Sequence, residues 1–308
     1  MKTNSLIISG LALGLTFMAH RASAQFTEFE NFKSLSSGPL DGQDGWNISS
    51  GVSAISVTSG GTFENGNYAQ VNENVGGTGD YKNGLGILGS STAATVFFQF
   101  SLPSIPATPG NVAAAGVTSM NFDIDQDSTP TDAAGTSSAQ FNYDDNNGNG
   151  LFRIRAGATG FVNASASSGG TAIAPIAGAN YDLWYVLDAS TATYQLYLED
   201  ANAATDGDIS LETPTLLYGA GTATSTLGFR TSDGFNVPGA ALTTFNMGPG
   251  STTGSVPQAE VGDIYVDTSG EDLSNPLIAT VPEPSGLAMI GISGGALLYG
   301  MRRKRLKL

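Results

Sequence analysis

The 308-residue sequence contains no cysteine and one histidine, His20. The absence of cysteine excludes disulfide staples, thiolate nucleophiles and sulfur-ligated metals. A chain of this length can bury enough apolar surface without staples. His20 lies in the apolar N-terminal stretch, so everything downstream lacks imidazole. That excludes a Ser-His-Asp triad and any His-ligated zinc or copper centre. Basic side chains are also scarce, with 12 Lys and Arg against 27 Asp and Glu. Between positions 25 and 281 only Lys33, Lys82, Arg153, Arg155 and Arg230 are basic, against 26 acids, a formal charge of −21. Such a segment cannot neutralise a phosphate backbone, and no nucleic-acid partner is expected. It suits a soluble, self-repelling exported surface that attracts divalent cations.

What is present begins with a leader. Lys2 supplies a positive start, residues 6–19 form an apolar run, and Ala22-Ser23-Ala24 is a small-residue cleavage site that would leave Gln25 as the first mature residue. A membrane anchor is the alternative, but the run is short for a span and a cleavage site follows it. The domain plan is therefore 1–24 as signal peptide, 25–280 as one folded domain and 281–308 as a tail.

Residues 25–280 are rich in Gly, Ser, Thr, Ala and Asn, interrupted by short apolar alternations at 52–57, 95–102, 120–125, 139–143, 151–155, 181–187, 193–199, 227–230 and 261–266. Each is bounded by Gly, Asn, Asp or Pro. This grammar predicts an all-β sandwich with no helical periodicity and no repeat. Two hairpins are legible, one turning through 144–150, where Asn and Gly supply the reversal, and one through 188–192. The low-complexity stretches 128–135, 163–178 and 238–257 read as long loops.

The densest local chemistry is Met120-Asn121-Phe122-Asp123-Ile124-Asp125-Gln126-Asp127. On a strand, Asp123, Asp125 and Asp127 share one face at about 7 Å per step. Clustered carboxylates suit calcium, and a solvated edge face running into a loop is the plainer expectation. Asp145-Asn146-Asn147-Gly148-Asn149-Gly150 has the opening pattern of an EF-hand loop, but Ala156 stands where the bidentate Glu belongs. A hairpin turn is the expectation there, with Asp145 a further calcium candidate. Trp184, mid-strand among apolar neighbours, is expected to pack in the core, and Trp46 to plug a turn. No cofactor is expected other than calcium.

Two stretches resemble the concanavalin A-like jelly roll of legume lectins, laminin G modules and several glucanases, and a third resembles an opening segment of bacterial PEP-CTERM proteins of this kind. They are Tyr181-Asp182-Leu183-Trp184-Tyr185-Val186-Leu187-Asp188 with Thr193-Tyr194-Gln195-Leu196-Tyr197-Leu198-Glu199-Asp200, then Gly262-Asp263-Ile264-Tyr265-Val266-Asp267, and Leu40-Asp41-Gly42-Gln43-Asp44-Gly45-Trp46. The resemblance implies a concanavalin A-like sandwich, and fold alone does not give function. Asp123, Asp125 and Asp127 are similar in spacing to the catalytic strand of laminarinase-type glucanases, where two Glu work in a retaining mechanism. Here every acid is the shorter Asp.

The C-terminus resembles the PEP-CTERM sorting signal more specifically. Pro282-Glu283-Pro284 is followed by the uncharged segment 286–301, then by Arg302, Arg303, Lys304, Arg305 and Lys307. The apolar segment is expected to be a single transmembrane helix, with the basic cluster holding the cytoplasmic face. The resemblance implies Sec export, transient inner-membrane anchoring, recognition and cleavage by an exosortase, and delivery to the cell surface or extracellular matrix beside exopolysaccharide. The leading expectation is a non-catalytic surface or matrix protein with polysaccharide as candidate ligand. A laminarinase-type hydrolase and a calcium-dependent adhesion module are the alternatives.

Overall fold

The computed structural model describes residues 26–48, 52–60, 66–71, 79–103, 120–126, 138–144, 150–157, 160–201, 211, 213–230, 237–249 and 259–278. The leader, its cleavage residues Ala22, Ala24 and Gln25, Asp127, Asp145, the Pro282-Glu283-Pro284 motif and the basic cluster lie outside the described residues. Among the described residues no helix is long and apolar enough to cross a membrane. The chain divides into a unit ending at Leu273 and a second from Ser274 to Leu308. The described part of the second is a turn in which the Ile278 N–H donates to the Asn275 carbonyl at 3.2 Å.

Two antiparallel sheets make up the first unit, with strands numbered β1 to β18 in chain order. The first sheet runs β14 (Thr215–Leu216), β13 (Thr193–Asp200), β12 (Asn180–Asp188), β7 (Ala94–Ser101), β18 (Ala259–Asp267), β5 (Asn67–Val71), β4 (Ile55–Ser59), β2 (Gly38–Pro39). To it, β1 (Thr27–Glu30) adds on β18 and β16 (Leu227–Gly228) adds on β13. The second sheet runs β15 (Tyr218–Gly219), β11 (Phe161–Ser165), β10 (Leu151–Arg155), β9 (Ala139–Asp144), β8 (Met120–Asp125), β17 (Leu242–Pro249), β6 (Asp80–Ile87), β3 (Trp46–Ile48).

Side-chain alternation explains why the sheets pack. Residues two apart share a face, so a strand such as Tyr194-Gln195-Leu196-Tyr197-Leu198 buries every second side chain. From the first sheet Phe98, Phe100, Leu183, Tyr185 and Leu187 point inward, and from the second Phe122, Phe141, Phe152 and Phe245 meet them. Phe98 sits 4.8 Å from Phe122 and 5.3 Å from Phe245, and Phe100 sits 5.2 Å from Phe122, ring centre to ring centre. Those are tilted and edge-on geometries that aromatic rings favour. The hydroxyl of Tyr185 crosses the core to donate to the Phe122 carbonyl at 2.7 Å.

Several expectations change. The stretch 238–257 is not all loop, because 242–249 forms β17, paired with β8 on one side and β6 on the other. The stretch 163–178 likewise begins inside β11. Consequently β8 is an interior strand between β9 and β17, not a solvated edge, and Asp123 and Asp125 are both 0% exposed. Trp184 is buried, but it alternates away from the inter-sheet cluster and lies on the outer face of the first sheet. There it forms a directly paired row with Tyr197, Phe97 and Tyr265. Trp46 is a plug between the sheets: its indole N–H donates to Glu30 at 2.6 Å, and Lys82 donates to the same carboxylate oxygen at 2.8 Å.

Candidate functional site

The outer face of the second sheet is polar on strand after strand. The residues that alternate with the phenylalanine core are Arg153 and Arg155 on β10, Gln140 and Asn142 on β9, Asn121, Asp123 and Asp125 on β8, Thr244 and Asn246 on β17, and Tyr81 and Asn83 on β6. Register places them in rungs. Asn121 lies opposite Asn142, which lies opposite Arg153, which lies opposite Asn163 of β11. One rung away, Gln140, Asp123, Asn246 and Tyr81 follow one another across four strands. Gly248 stands beside Asn121 on β17 because a Cβ there would meet the Gly79 Cα at 2.3 Å.

The centre of this face is buried and rich in acceptors. Gln140 Nε2 donates to Asp123 Oδ1 at 3.2 Å. Four amide oxygens, on Asn121, Gln140, Asn142 and Asn246, are buried with no donor. Buried acceptors without partners are uncommon and costly, by about 1–3 kcal/mol each. Four of them lie on neighbouring positions of three strands, all without access to solvent.

The flank is half-exposed and cationic. The Cζ atoms of Arg153 and Arg155 each lie 5.2 Å from the centre of the Phe161 ring. Arg155 Nε donates to the Gly157 carbonyl at 3.3 Å, and Arg153 Nη2 to the Phe161 carbonyl at 3.4 Å. Burial holds the Arg155 pKa below its ordinary value, and the nearby charges of Arg230 and Arg153 push the same way while Asp123 opposes them. Below the sheet, the hydroxyl of Tyr194 donates to the carbonyls of Arg155 and Gln140, at 2.6 and 3.1 Å, and so fixes the backbone that presents this end.

The expected site residues are therefore only partly assembled. Asp123 and Asp125 share a face, as expected, but Asp127 and Asp145 lie outside the described residues. Among the described residues no group of three or more acidic or histidine side chains is placed to hold a metal ion. The amides and the arginines were not singled out by sequence reasoning. The signal that could have found them is the strand alternation Arg153-Ile154-Arg155 followed, after a short turn, by Phe161-Val162-Asn163.

A separate cleft of about 640 Å³ opens where β1, β6 and the end of β18 meet, lined by Glu28, Phe29, Lys82, Leu85 and Asp267 among others. Lys82 within it is committed to Glu30 and Asp44, at 2.8 and 2.7 Å. We place the candidate site on the sheet face rather than in this cleft, because the unpartnered acceptors and the arginine cluster are there.

No protein-family model matches the chain, and no curated protein sequence matches it. Among solved structures the similar folds include legume lectins. Lectin II from Ulex europaeus is 11% identical, covering 74% of this chain and 94% of its own, with a TM-score of 0.42. Peanut lectin with a 9mer peptide is 15% identical, covering 79% and 97%, with a TM-score of 0.41. Trypanosoma rangeli sialidase in complex with the inhibitor DANA is 13% identical, with a TM-score of 0.39; the match takes in 78% of this chain and only 34% of the sialidase. At such identities and scores none of these proteins' activities is carried over to this chain.

Proposed function

We propose that this is an exported, non-catalytic protein of the cell surface or extracellular matrix that binds polysaccharide on the outer face of its second sheet. The observation that carries the binding reading is the polar run of amide, carboxylate and arginine side chains across β10, β9, β8 and β17, which is half-exposed where Arg153 and Arg155 lie over Phe161. Tyr81 and Phe161, both half-buried, add ring faces at the two flanks on which a sugar ring can lie. The acidic, histidine-free composition favours binding over catalysis.

Delivery rests on the sequence. The leader would direct Sec export, and Pro282-Glu283-Pro284 with the apolar segment and the basic cluster would engage an exosortase at the inner membrane. Removing residues 286–308 is expected to abolish surface retention, and unchanged attachment sinks this part of the proposal.

Binding is tested by calorimetry of the folded domain against a panel of soluble polysaccharides. At least one polymer is expected to bind without release of reducing ends, and Phe161→Ala is expected to weaken it several-fold. Binding that is indifferent to Tyr81→Ala, Phe161→Ala and Arg155→Gln overturns the assignment to this face.

A further inference from the structure

Asn83 is followed by Gly84 within β6, and the fold leaves this pair in the open. Both residues are exposed. On one edge of β6, β3 pairs only as far as Lys82. On the other edge Asn83 pairs with Thr244 and Ile87 with Leu242, so Gly84, Leu85 and Gly86 bulge out against the single residue Thr243. Gly84 sits at φ 107°, a left-handed conformation that only glycine adopts readily, and nothing lies within 4 Å of where a Cβ would stand. The peptide nitrogen that follows Asn83 therefore lies outside the paired register of both neighbouring strands, with no side chain beside it.

The side-chain carbonyl of Asn83 is held at the same time. Thr244 Oγ1 donates to Asn83 Oδ1 at 2.7 Å. A hydroxyl on a carbonyl oxygen draws electrons from the carbon and stabilises the charge that develops on that oxygen when a nucleophile adds. The nucleophile nearest along the chain is the Gly84 nitrogen, which closes a succinimide ring when it reaches Asn83 Cγ. With glycine in that position no Cβ obstructs the closure.

We propose that Asn83 is a self-modification site, converted to aspartate and isoaspartate through a succinimide with water as the only co-reactant. The Gly84 nitrogen gives up its proton and bonds to Asn83 Cγ. The bond from Cγ to Nδ2 breaks, and Nδ2 leaves as ammonia with that proton. Water then opens the ring. Addition at Cγ restores the main chain and leaves aspartate; addition at the main-chain carbonyl leaves the chain running through the side chain, which is isoaspartate. Residue 83 stands on the rim of the 640 Å³ cleft and one strand from Asp125 on the Asp125–Thr244–Asn83 rung. Each conversion adds one negative charge there. The inference is independent of the glycan reading.

The test incubates the folded protein at mildly alkaline and mildly acidic pH, digests it, and follows the peptide containing residue 83 by mass spectrometry. Chromatography resolves isoaspartate from aspartate. Conversion at Asn83 is expected in the folded protein, and faster at the alkaline pH because ring closure needs the deprotonated nitrogen. Thr244→Val, which keeps the shape and loses the hydroxyl, is expected to slow conversion at Asn83 several-fold in the folded state and to leave the rate in urea unchanged. Thr244→Ser, which keeps the hydroxyl, is expected to convert at the parent rate. Circular dichroism melts show that each variant is folded. An Asn83 that stays intact in the folded protein while the urea-unfolded chain converts it overturns the site. Folded-state rates in Thr244→Val equal to or above the parent's overturn the part given to the hydroxyl.

Discussion

Tyr194 of the first sheet donates its hydroxyl to the backbone carbonyl of Arg155 in the second, at 2.6 Å. A buried phenol thus ties the β12–β13 hairpin to the strand that carries the arginine cluster. The same hydroxyl lies 3.1 Å from the Gln140 carbonyl, and burial raises its pKa well above the usual phenol value, so it stays a donor.

Tyr194→Phe leaves both carbonyls short of this donor while keeping the ring. The expected cost is about 1–3 kcal/mol, read as a lower urea midpoint. A variant as stable as the parent contradicts the bridging role.

Lys82 and Glu30 predict a non-additive pair. Lys82→Met leaves the Glu30 carboxylate buried with Trp46 alone, at an expected cost of about 3–5 kcal/mol. Glu30→Leu combined with Lys82→Met removes both charges and is expected to recover much of that loss. Strictly additive costs in the double-mutant cycle contradict a buried, coupled pair.

Asp80 predicts a pH slope. Burial lifts its pKa to about 7, against the partial offset of the Ser53 hydroxyl, which donates to it at 2.7 Å. Unfolded, the group titrates near 3.9. Between about pH 4 and pH 7 the unfolded chain releases this proton first, so the folded state loses stability as pH rises, by up to ~4 kcal/mol, and the penalty is constant above that window. Asp80→Asn is expected to remove this part of the slope and to be more stable than the parent at pH 8. Identical stability–pH curves for the two proteins contradict a raised pKa.

Where the alternation was strong, the strands were legible: 120–125 and 151–155 match β8 and β10 residue for residue. Others were hidden by composition. In β6, Gly84 and Gly86 interrupt the pattern with positive φ, and β17 carries Thr, Asn and Gly between prolines, so its strand character comes from pairing with β8 and β6 rather than from local preference. That one omission explains the misplacing of Asp123. A six-residue acidic strand reads as a solvated edge until both neighbours are known, and one of them is more than a hundred positions away. Trp184 shows the same limit, since alternation gives the face but not what covers it.

The arginine cluster was invisible for a related reason. In the sequence Arg153 and Arg155 are only two of the five basic residues of positions 25–281, and nothing local marks Phe161. Only the β10–β11 register brings Arg155 opposite Phe161 and Arg153 opposite Asn163. The C-terminal motif lies outside the described residues, and its expected role rests on the order of its three elements in the sequence alone.

The most direct test of the account is hydrogen–deuterium exchange of the folded domain with and without a saturating bound polysaccharide. Protection is expected in peptides covering β8, β9, β10 and β17, with the outer face of β12 and β13 unchanged. Protection confined to β12, β13 and β7, around Trp184 and Phe97, would contradict the placement of the ligand on the second sheet.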